Sequence, residues 1–198
     1  MIKSYFNGKA IIWDEMIVEK NQQKLEEMAN RLTIKPGSRI LDVGTGTGVF
    51  IPFLLDRMGA NGQLFAIDIA ENMLQRSMCK GFGDKIALIQ ADITITPLIS
   101  SFLDVVVCYS AFPHFKNKPL TLLEIFRILK TQGCLYICHT SSRSAINGIH
   151  QKISELQHDL LPNADEMQKM LSDCGFVDTV VDESEDSYLV SAVKPIIT

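Results

Sequence analysis

Three glycines alternate with other residues in the stretch LDVGTGTGVF, residues 41–50, directly after a short apolar run. Glycine lets a backbone turn sharply and lets a ligand approach without a Cβ in the way. One glycine would serve a plain turn, so Gly44, Gly46 and Gly48 together favour a ligand-binding loop at the end of a buried strand. Their spacing differs from the G-x-G-x-x-G pattern of a dinucleotide fold, which argues against a nicotinamide oxidoreductase.

Strand-like and helix-like runs alternate along the chain. Short apolar runs predict strands at 39–43, 63–69, 86–93, 103–110, 134–140, 176–183 and 187–194. Helical periodicity predicts helices at 14–32, 48–59, 71–81, 120–130, 143–158 and 163–174. This order indicates an α/β fold with helices on both faces of a mostly parallel sheet, and no helix joins the last two runs. We therefore expect one domain over residues 1–198, a Rossmann-like three-layer sandwich with a seven-stranded, mostly parallel sheet and an antiparallel last strand.

The charge and cysteine content restrict the partner and the compartment. The formal net charge is -4, and lysines and arginines form no block, which argues against a nucleic-acid substrate. The five cysteines include no C-x-x-C pair and are typical of reduced thiols in a cytoplasmic protein. No apolar run reaches the length of a membrane span, and the N-terminus does not resemble a signal peptide. The sequence carries no signal for an oligomeric state.

Two aspartates follow the second and third predicted strands, at the edge where a parallel sheet binds ligands. Asp68 lies 20 residues after Gly48, where a carboxylate can hold the hydroxyls of a ribose; the alternative is an N-cap for the helix starting at residue 71. Asp92 can accept a hydrogen bond from an adenine amine while Ile93 packs on the ring, or it can be a turn aspartate. Both alternatives stay open for each residue.

Four stretches together resemble the class I S-adenosylmethionine-dependent methyltransferases, of the small-molecule kind (types 11 and 25). They are ILDVGTGTG, FAIDIAENML, IQADI and FRILKTQGCLYICH, and the resemblance covers roughly residues 10–194. In the family a Lys-Pro-Gly-Gly type turn precedes the fifth strand, whereas Thr131 and Gln132 replace its Pro-Gly here. The resemblance implies S-adenosylmethionine as the cofactor. It places the following residues at the cofactor: Asp42, Gly44, Thr45, Gly46, Gly48, Asp68, Ile69, Met73, Asp92, Ile93 and Tyr109.

The N-terminal segment resembles the lead-in of the small-molecule methyltransferases, where it forms a lid over the cofactor. Residues 1–33 are thus expected to hold a lid and the first helix, with Tyr5, Phe6 and Trp13 as its aromatic candidates and Tyr5 and Trp13 near the substrate. The alternative is a hydrophobic staple for the helix that begins near Asp14.

The acceptor is less well specified by the sequence. CYSAFPHF, at 108–115, does not resemble the motifs of DNA-methylating enzymes, so we expect in-line methyl transfer to a small molecule. His114, His139 and Arg143 are the candidate catalytic residues. A helical segment at 141–162 would line the acceptor site with Arg143, Asn147 and His150, which fall on one helix face; the alternative is a helix capped by Ser142 with a solvated polar face.

Metal binding and catalytic activity each leave a further alternative. A histidine cluster could hold a metal, but its ligands would come from separate elements, so no metal site is predicted. A chain of this kind could also be a cofactor-binding regulatory protein that has lost turnover. The intact glycine loop and the two acidic positions favour the enzyme.

Overall fold

A computed structural model describes residues 2–17 and 19–196 of the 198-residue chain. The helices are α1 (Ile2–Lys9), α2 (Trp13–Met16), α3 (Gln22–Arg31), α4 (Ile51–Met58), α5 (Glu71–Met78), α6 (Lys118–Ile128), α7 (Arg143–His150) and α8 (Ala164–Asp173). The strands are β1 (Arg39–Val43), β2 (Gln63–Asp68), β3 (Ile86–Gln90), β4 (Leu103–Tyr109), β5 (Leu129–His139), β6 (Val177–Glu183) and β7 (Tyr188–Val193).

The seven strands form one sheet in the order β3-β2-β1-β4-β5-β7-β6. The pairs from β3 to β5 are parallel, and β7 runs antiparallel to both β5 and β6. Buried apolar side chains form a core on each face of the sheet, which gives three layers. The predicted fold class is confirmed, including the antiparallel last strand. The strand order reverses at β1 and β4, so the loops after these strands open onto a shared crevice.

The N-terminal region differs from the predicted single helix over 14–32. A short α1 precedes it, and α2 ends at Met16 with Ile17 in extended conformation (φ -62°, ψ 128°). The next helix, α3, begins at Gln22, and the Asn21 side chain caps it by accepting from the main-chain N–H of Lys24. The chain breaks here because Glu19 turns inward and is 4% exposed, bonded to the ends of β4 and β5.

A second difference lies after β5. The helix predicted over 143–158 ends at His150, and residues 151–158 form turns. The Ser142 side chain caps its start by accepting from the N–H of Ala145. Within the described residues, no helix has the length and apolar composition needed to cross a membrane.

Candidate active site

A cavity of about 390 Å³ opens at the carboxyl ends of β1, β2 and β4. Its floor is the glycine loop after β1, and its walls come from the segments that follow β2, β3 and β4. Residues of α1 and α2 cover it from the N-terminal side, with Phe6 and Trp13 on its lining. This cavity lies where an open parallel sheet is expected to bind a ligand.

The backbone of the loop requires its glycines. Gly44, Gly46 and Gly48 have φ values of 70°, 55° and 81°, in the left-handed region that side chains rarely adopt. A Cβ on Gly44 would lie 2.5 Å from the Cβ of Ala111, so this glycine lets two strand ends pack closely. The nearest heavy atom to a Cβ on Gly46 would be the Nε1 atom of Trp13, at 3.9 Å. Such a Cβ would therefore project into the cavity. The loop therefore leaves room for a ligand above Gly46.

Asp42 is buried beneath the loop at the end of β1. Its Oδ2 accepts from the hydroxyl of Thr45 at 2.6 Å. Burial raises the pKa of Asp42 to about 7, the Thr45 hydroxyl partly opposes the shift, and the charge of Asp68 adds to it. A carboxyl group with this pKa changes charge near neutral pH at the wall of the cavity.

Asp68 hydrogen-bonds to the main chain of both the glycine loop and the start of α5. The Asp68 Oδ2 atom accepts from the N–H of Gly46 at 2.8 Å, and its Oδ1 accepts from the N–H of Ala70 at 2.7 Å. The N-cap residue of α5 is Ala70 and not Asp68, so the N-cap alternative is wrong, and the ribose role stays a prediction. Burial raises the pKa of Asp68, while the main-chain donors oppose the shift. Each carboxylate oxygen keeps a further lone pair, so the side chain ties the glycine loop to α5 and can still accept from a ligand in the cavity.

The segment after β3 forms another wall of the cavity. The Asp92 Oδ1 atom accepts from both the main-chain N–H and the hydroxyl of Thr94, so Asp92 caps a 3-10 turn at Ile93–Ile95. The turn interpretation of Asp92 holds, and the residue also lines the cavity with Ile93. Ile69 and Met73 line the cavity from the start of α5. Apolar side chains thus flank the acidic positions, an arrangement that suits the aromatic ring of a bound ligand.

Tyr109 ends β4 with its ring on the cavity wall. The ring stacks on Phe50 at a centroid distance of 4.4 Å. Its hydroxyl donates to the carbonyl of Glu19 at 3.0 Å and is within hydrogen-bond distance of the Thr140 hydroxyl. Burial, followed by the charge of Glu19, raises the pKa of Tyr109, so the phenol stays protonated. The side chain therefore acts through its ring and its hydrogen bonds.

The aromatic side chains of the N-terminal segment form a row. Phe6 contacts Tyr5, Trp13 and His114 edge-on at centroid distances of 5.3, 5.3 and 4.9 Å. Phe6 and Trp13 line the cavity, whereas Tyr5 lies behind Phe6. The row therefore links the segment to the loop after β4.

His114 lies on the cavity wall in the 3-10 turn after β4 (Phe112–His114). Its Nδ1 lies 3.0 Å from the Oδ2 atom of Asp159, and the ring packs on His150 at a centroid distance of 4.8 Å. Burial lowers the pKa of His114, and the Asp159 carboxylate partly opposes the shift. A neutral ring that donates its Nδ1–H to Asp159 leaves Nε2 as a lone-pair acceptor.

His139 is buried at the end of β5 and is not part of the cavity lining. Its Nδ1 lies 3.0 Å from the Oε2 atom of Glu19, and its Nε2 is buried without a hydrogen-bond partner among the described residues. The same Glu19 oxygen accepts from the hydroxyl of Ser110, which does line the cavity. His139 thus reaches the cavity only through Glu19 and Ser110.

The polar wall predicted on the helix after β5 does not reach the cavity. Arg143 pairs instead with Glu183 on β6, with its Nε 3.0 Å from Oε2. The Asn147 side chain donates to the carbonyl of Leu161 and accepts from its N–H, so it fixes the following loop. His150 hydrogen-bonds through Nδ1 to the carbonyl of Asp159 and supports His114 from behind. Arg143 and Asn147 are therefore satisfied by other partners, and neither residue is part of the cavity lining.

Two residues of this region could not be found by their local pattern. Glu19 and Asp159 lie 120 and 45 residues from the histidines that they contact. Glu19 falls in the helix predicted over 14–32 and Asp159 in the helical segment predicted over 141–162, and neither belongs to a motif. Within the described part of the chain, no group of three or more His, Cys, Asp or Glu side chains is arranged to hold a metal ion.

Comparison with known proteins gives a consistent family. A family model described as a methyltransferase domain matches residues 34–191. Demethylmenaquinone methyltransferase of Geobacillus kaustophilus is 25% identical, over 79% of this chain and 78% of its own. Plant phosphoethanolamine N-methyltransferases are also matched, over about a third of their own length.

Solved structures agree in fold. A Haloferax volcanii protein described as a methyltransferase, solved in complex with the Trm112 methyltransferase activator, aligns with a TM-score of 0.79 and 21% identity, covering 96% of this chain and 97% of that chain. Phosphoethanolamine N-methyltransferase 2 of Haemonchus contortus, solved with S-adenosylhomocysteine, aligns with a TM-score of 0.78 and 16% identity, covering 97% of this chain and 58% of that chain.

Proposed function

Since this chain belongs to the class I S-adenosylmethionine-dependent methyltransferases, we propose that it methylates a small molecule held beside the cofactor in the cavity described above. One observation carries the proposal. The glycine loop, through Gly44 and Gly46, and a carboxylate-oriented histidine, His114, face the same cavity under the N-terminal segment, whereas Gly48 packs against Ser77 and Ile51 and does not line it. The first suits cofactor binding and the second suits acid–base chemistry on an acceptor.

The residues present fit the cofactor. Gly46 leaves an open cradle at the floor of the cavity, and the Asp68 carboxylate lies beside it with free lone pairs. Asp92 and Ile93 would hold the adenine, and the glycine loop would hold the amino-acid end. When bound, S-adenosylmethionine supplies an electrophilic methyl group on a positively charged sulfur.

The N-terminal segment favours a small acceptor. Phe6 and Trp13 cover the cavity, so an acceptor must fit beneath them, away from bulk water. The cavity volume falls in the range of small-molecule sites. The named substrates of the relatives, demethylmenaquinone and phosphoethanolamine, are also small molecules, which supports the same class here.

We assign His114 as the general base of the reaction. Asp159 orients the ring through Nδ1, which directs the remaining nitrogen's lone pair to the acceptor side. Because burial lowers the pKa of His114, the ring is neutral at pH 7 and can take a proton from an acceptor hydroxyl, thiol or ammonium group. His150 and Phe6 pack against the ring and limit its rotation.

The experiment is a turnover assay with S-adenosylmethionine and a panel of phenols, thiols, amines and carbon acids. S-adenosylhomocysteine and methylated acceptor are detected by mass spectrometry. We expect turnover with at least one small-molecule class. Methylation of protein or nucleic-acid fractions assayed in parallel, with no turnover on the small-molecule panel, would contradict the proposed acceptor class.

Replacement of His114 tests the proposed base. His114→Gln should lower kcat by roughly 10²–10⁴-fold, the usual contribution of a general base, with little change in affinity for S-adenosylhomocysteine. Asp159→Asn should lower kcat less and shift the pH profile, because it keeps the His114 ring but removes the carboxylate that raises the pKa of that ring. His158→Gln, at an exposed histidine in the same loop, is the matched control. An unchanged kcat in His114→Gln would rule out this role.

A further inference from the structure

We propose that Glu19 is a positioning residue that clamps residues 2–17, here called the N-terminal cover, against the ends of β4 and β5 and so sets how long the cofactor stays in the cavity. The inference rests on the proposed cofactor site and adds a residue outside the cavity lining. Its basis is the set of contacts that converge on this one buried side chain.

Glu19 joins the segment between α2 and α3 to the ends of β4 and β5. Its Oε2 accepts from the hydroxyl of Ser110 and lies 3.0 Å from Nδ1 of His139, and its Oε1 lies 3.5 Å from the hydroxyl of Thr140. Its carbonyl accepts from the hydroxyl of Tyr109 at 3.0 Å. The side chain is only 3% exposed. Glu19, two positions after the cover, is therefore bonded to the ends of both β4 and β5 at the edge of the sheet that holds the cavity.

A buried carboxylate is expensive unless its bonds are satisfied, which indicates a specific role for this one. Burial alone would raise the pKa of Glu19, but the ring of His139 and the hydroxyl of Ser110 hold it below its ordinary value. Glu19 is thus charged in the folded chain. Its removal would leave several buried polar groups without a partner. The segment after α2 would also lose its side-chain contacts with Ser110 and His139.

The same carboxylate supports a strained wall of the cavity. Ser110 has φ 52°, an uncommon conformation for a residue with a Cβ, and it lines the cavity next to Tyr109. Such strain persists where surrounding contacts hold it, and the Glu19 hydrogen bond to the Ser110 hydroxyl is one of them. Glu19 therefore links the position of the cover to the shape of the wall opposite.

The cover packs Ala10 against Ala70 and Met73, and its other hydrogen-bonded attachments are more exposed than Glu19. Asp14 accepts from the Thr47 hydroxyl and pairs with Lys80 at 3.0 Å, with the Asp14 side chain 41% exposed. The exposed Asn72 bonds to Asn7. Because exposed polar contacts exchange with water at little cost, Glu19 is the polar attachment whose loss should free the cover most.

Dissociation of S-adenosylhomocysteine tests the proposal. Trp13 is the single tryptophan and lies on the cavity wall, so its fluorescence reports ligand and cover together. Glu19→Ala should raise the dissociation rate by roughly tenfold or more, the effect of losing charge-assisted hydrogen bonds. Glu19→Gln keeps an acceptor and should fall between wild type and Glu19→Ala. Glu15→Gln, an exposed carboxylate in the cover, is the control.

Hydrogen exchange separates a clamp from a general loss of stability. In the ligand-free Glu19→Gln variant, the clamp predicts faster exchange in residues 2–17 and at Ser110, with β1 and β2 unchanged. Faster exchange throughout the chain, or a dissociation rate equal to that of wild type, would overturn the proposal. A wild-type protein that does not bind S-adenosylhomocysteine would instead overturn the cofactor site on which it rests.

Discussion

Asp42 shows how a single buried side chain can make this protein sensitive to pH. Its pKa is about 7, against an ordinary value of 3.8. Between these values the folded chain binds a proton that the unfolded chain does not, so the contribution of Asp42 to stability falls as pH rises across this window. Above this pH window, Asp42 is a buried carboxylate, and the negative charge of Asp68 disfavours its ionised form.

We therefore predict that, when the pH is raised from 5 to 8, the Tm of Asp42→Asn falls less than the Tm of wild type. Each unit of pKa shift corresponds to about 1.4 kcal/mol of unfolding free energy, so the difference in Tm should be on the order of several degrees. Differential scanning calorimetry over this pH range measures it. Parallel curves for the two proteins would show that Asp42 does not titrate there.

Asp68 should affect the cofactor more than the fold. Asp68→Ala removes the acceptor beside Gly46, and affinity for S-adenosylhomocysteine should fall by about 1–3 kcal/mol in isothermal titration calorimetry. Asp84→Ala, at an exposed aspartate of the α5–β3 loop, is the control and should leave the affinity unchanged. Equal affinities for Asp68→Ala and wild type would exclude Asp68 from the ribose site.

At this scale the sequence was informative where a residue acts through its neighbours along the chain. Asp42, Asp68 and the glycines could be placed because strand, loop and helix follow one another locally. Glu19 and Asp159 could not, because their partners lie far along the chain and a lone acidic residue in a polar run has no distinguishing pattern. Arg143 was placed at the acceptor because its helix face was known but its partner on β6 was not.

The glycine loop is the element whose sequence most closely prescribes its geometry. Gly44 and Gly46 both have positive φ, but their surroundings differ. A side chain at Gly44 meets Ala111, whereas one at Gly46 enters the cavity. The two positions therefore separate the role of the loop in folding from its role in binding.

Alanine substitution should resolve these two roles. Gly44→Ala should destabilise the chain by roughly 1–3 kcal/mol from overpacking, in addition to about 1–2 kcal/mol for its backbone conformation. Gly46→Ala should incur only the second cost, yet it should weaken S-adenosylhomocysteine binding more than its stability loss explains. Urea unfolding and calorimetric titration of both variants measure this. A Gly46→Ala variant with wild-type affinity would show that the cradle is not the cofactor site.

Two helix boundaries that were predicted closely are marked by a turn or capping residue. Gly59 ends α4, and the Asn163 side chain caps α8. The break between α2 and α3 was missed although Asn21 caps α3, because the inward contacts of Glu19 override a favourable helical pattern. α7 ends early for a comparable reason: His150 bonds to the carbonyl of Asp159 and turns the chain back toward His114.

For the whole molecule, the sheet brings the glycine loop, Asp68, Asp92 and His114 to one edge. This assembly follows from the parallel order of β1 to β4 and could be predicted, because the carboxyl ends of parallel strands meet at the same edge. The N-terminal cover and the His114–Asp159 pair depend on tertiary packing and required the structure. Together they partly cover the cavity in which we propose that cofactor and acceptor bind.

A crystal structure with S-adenosylhomocysteine tests this account most directly. We predict ribose hydroxyls within hydrogen-bond distance of Asp68, the amino-acid end over Gly46, and the sulfur facing the part of the cavity lined by Ser110 and His114. A ribose away from Asp68, or a sulfur that faces away from His114, would contradict the account.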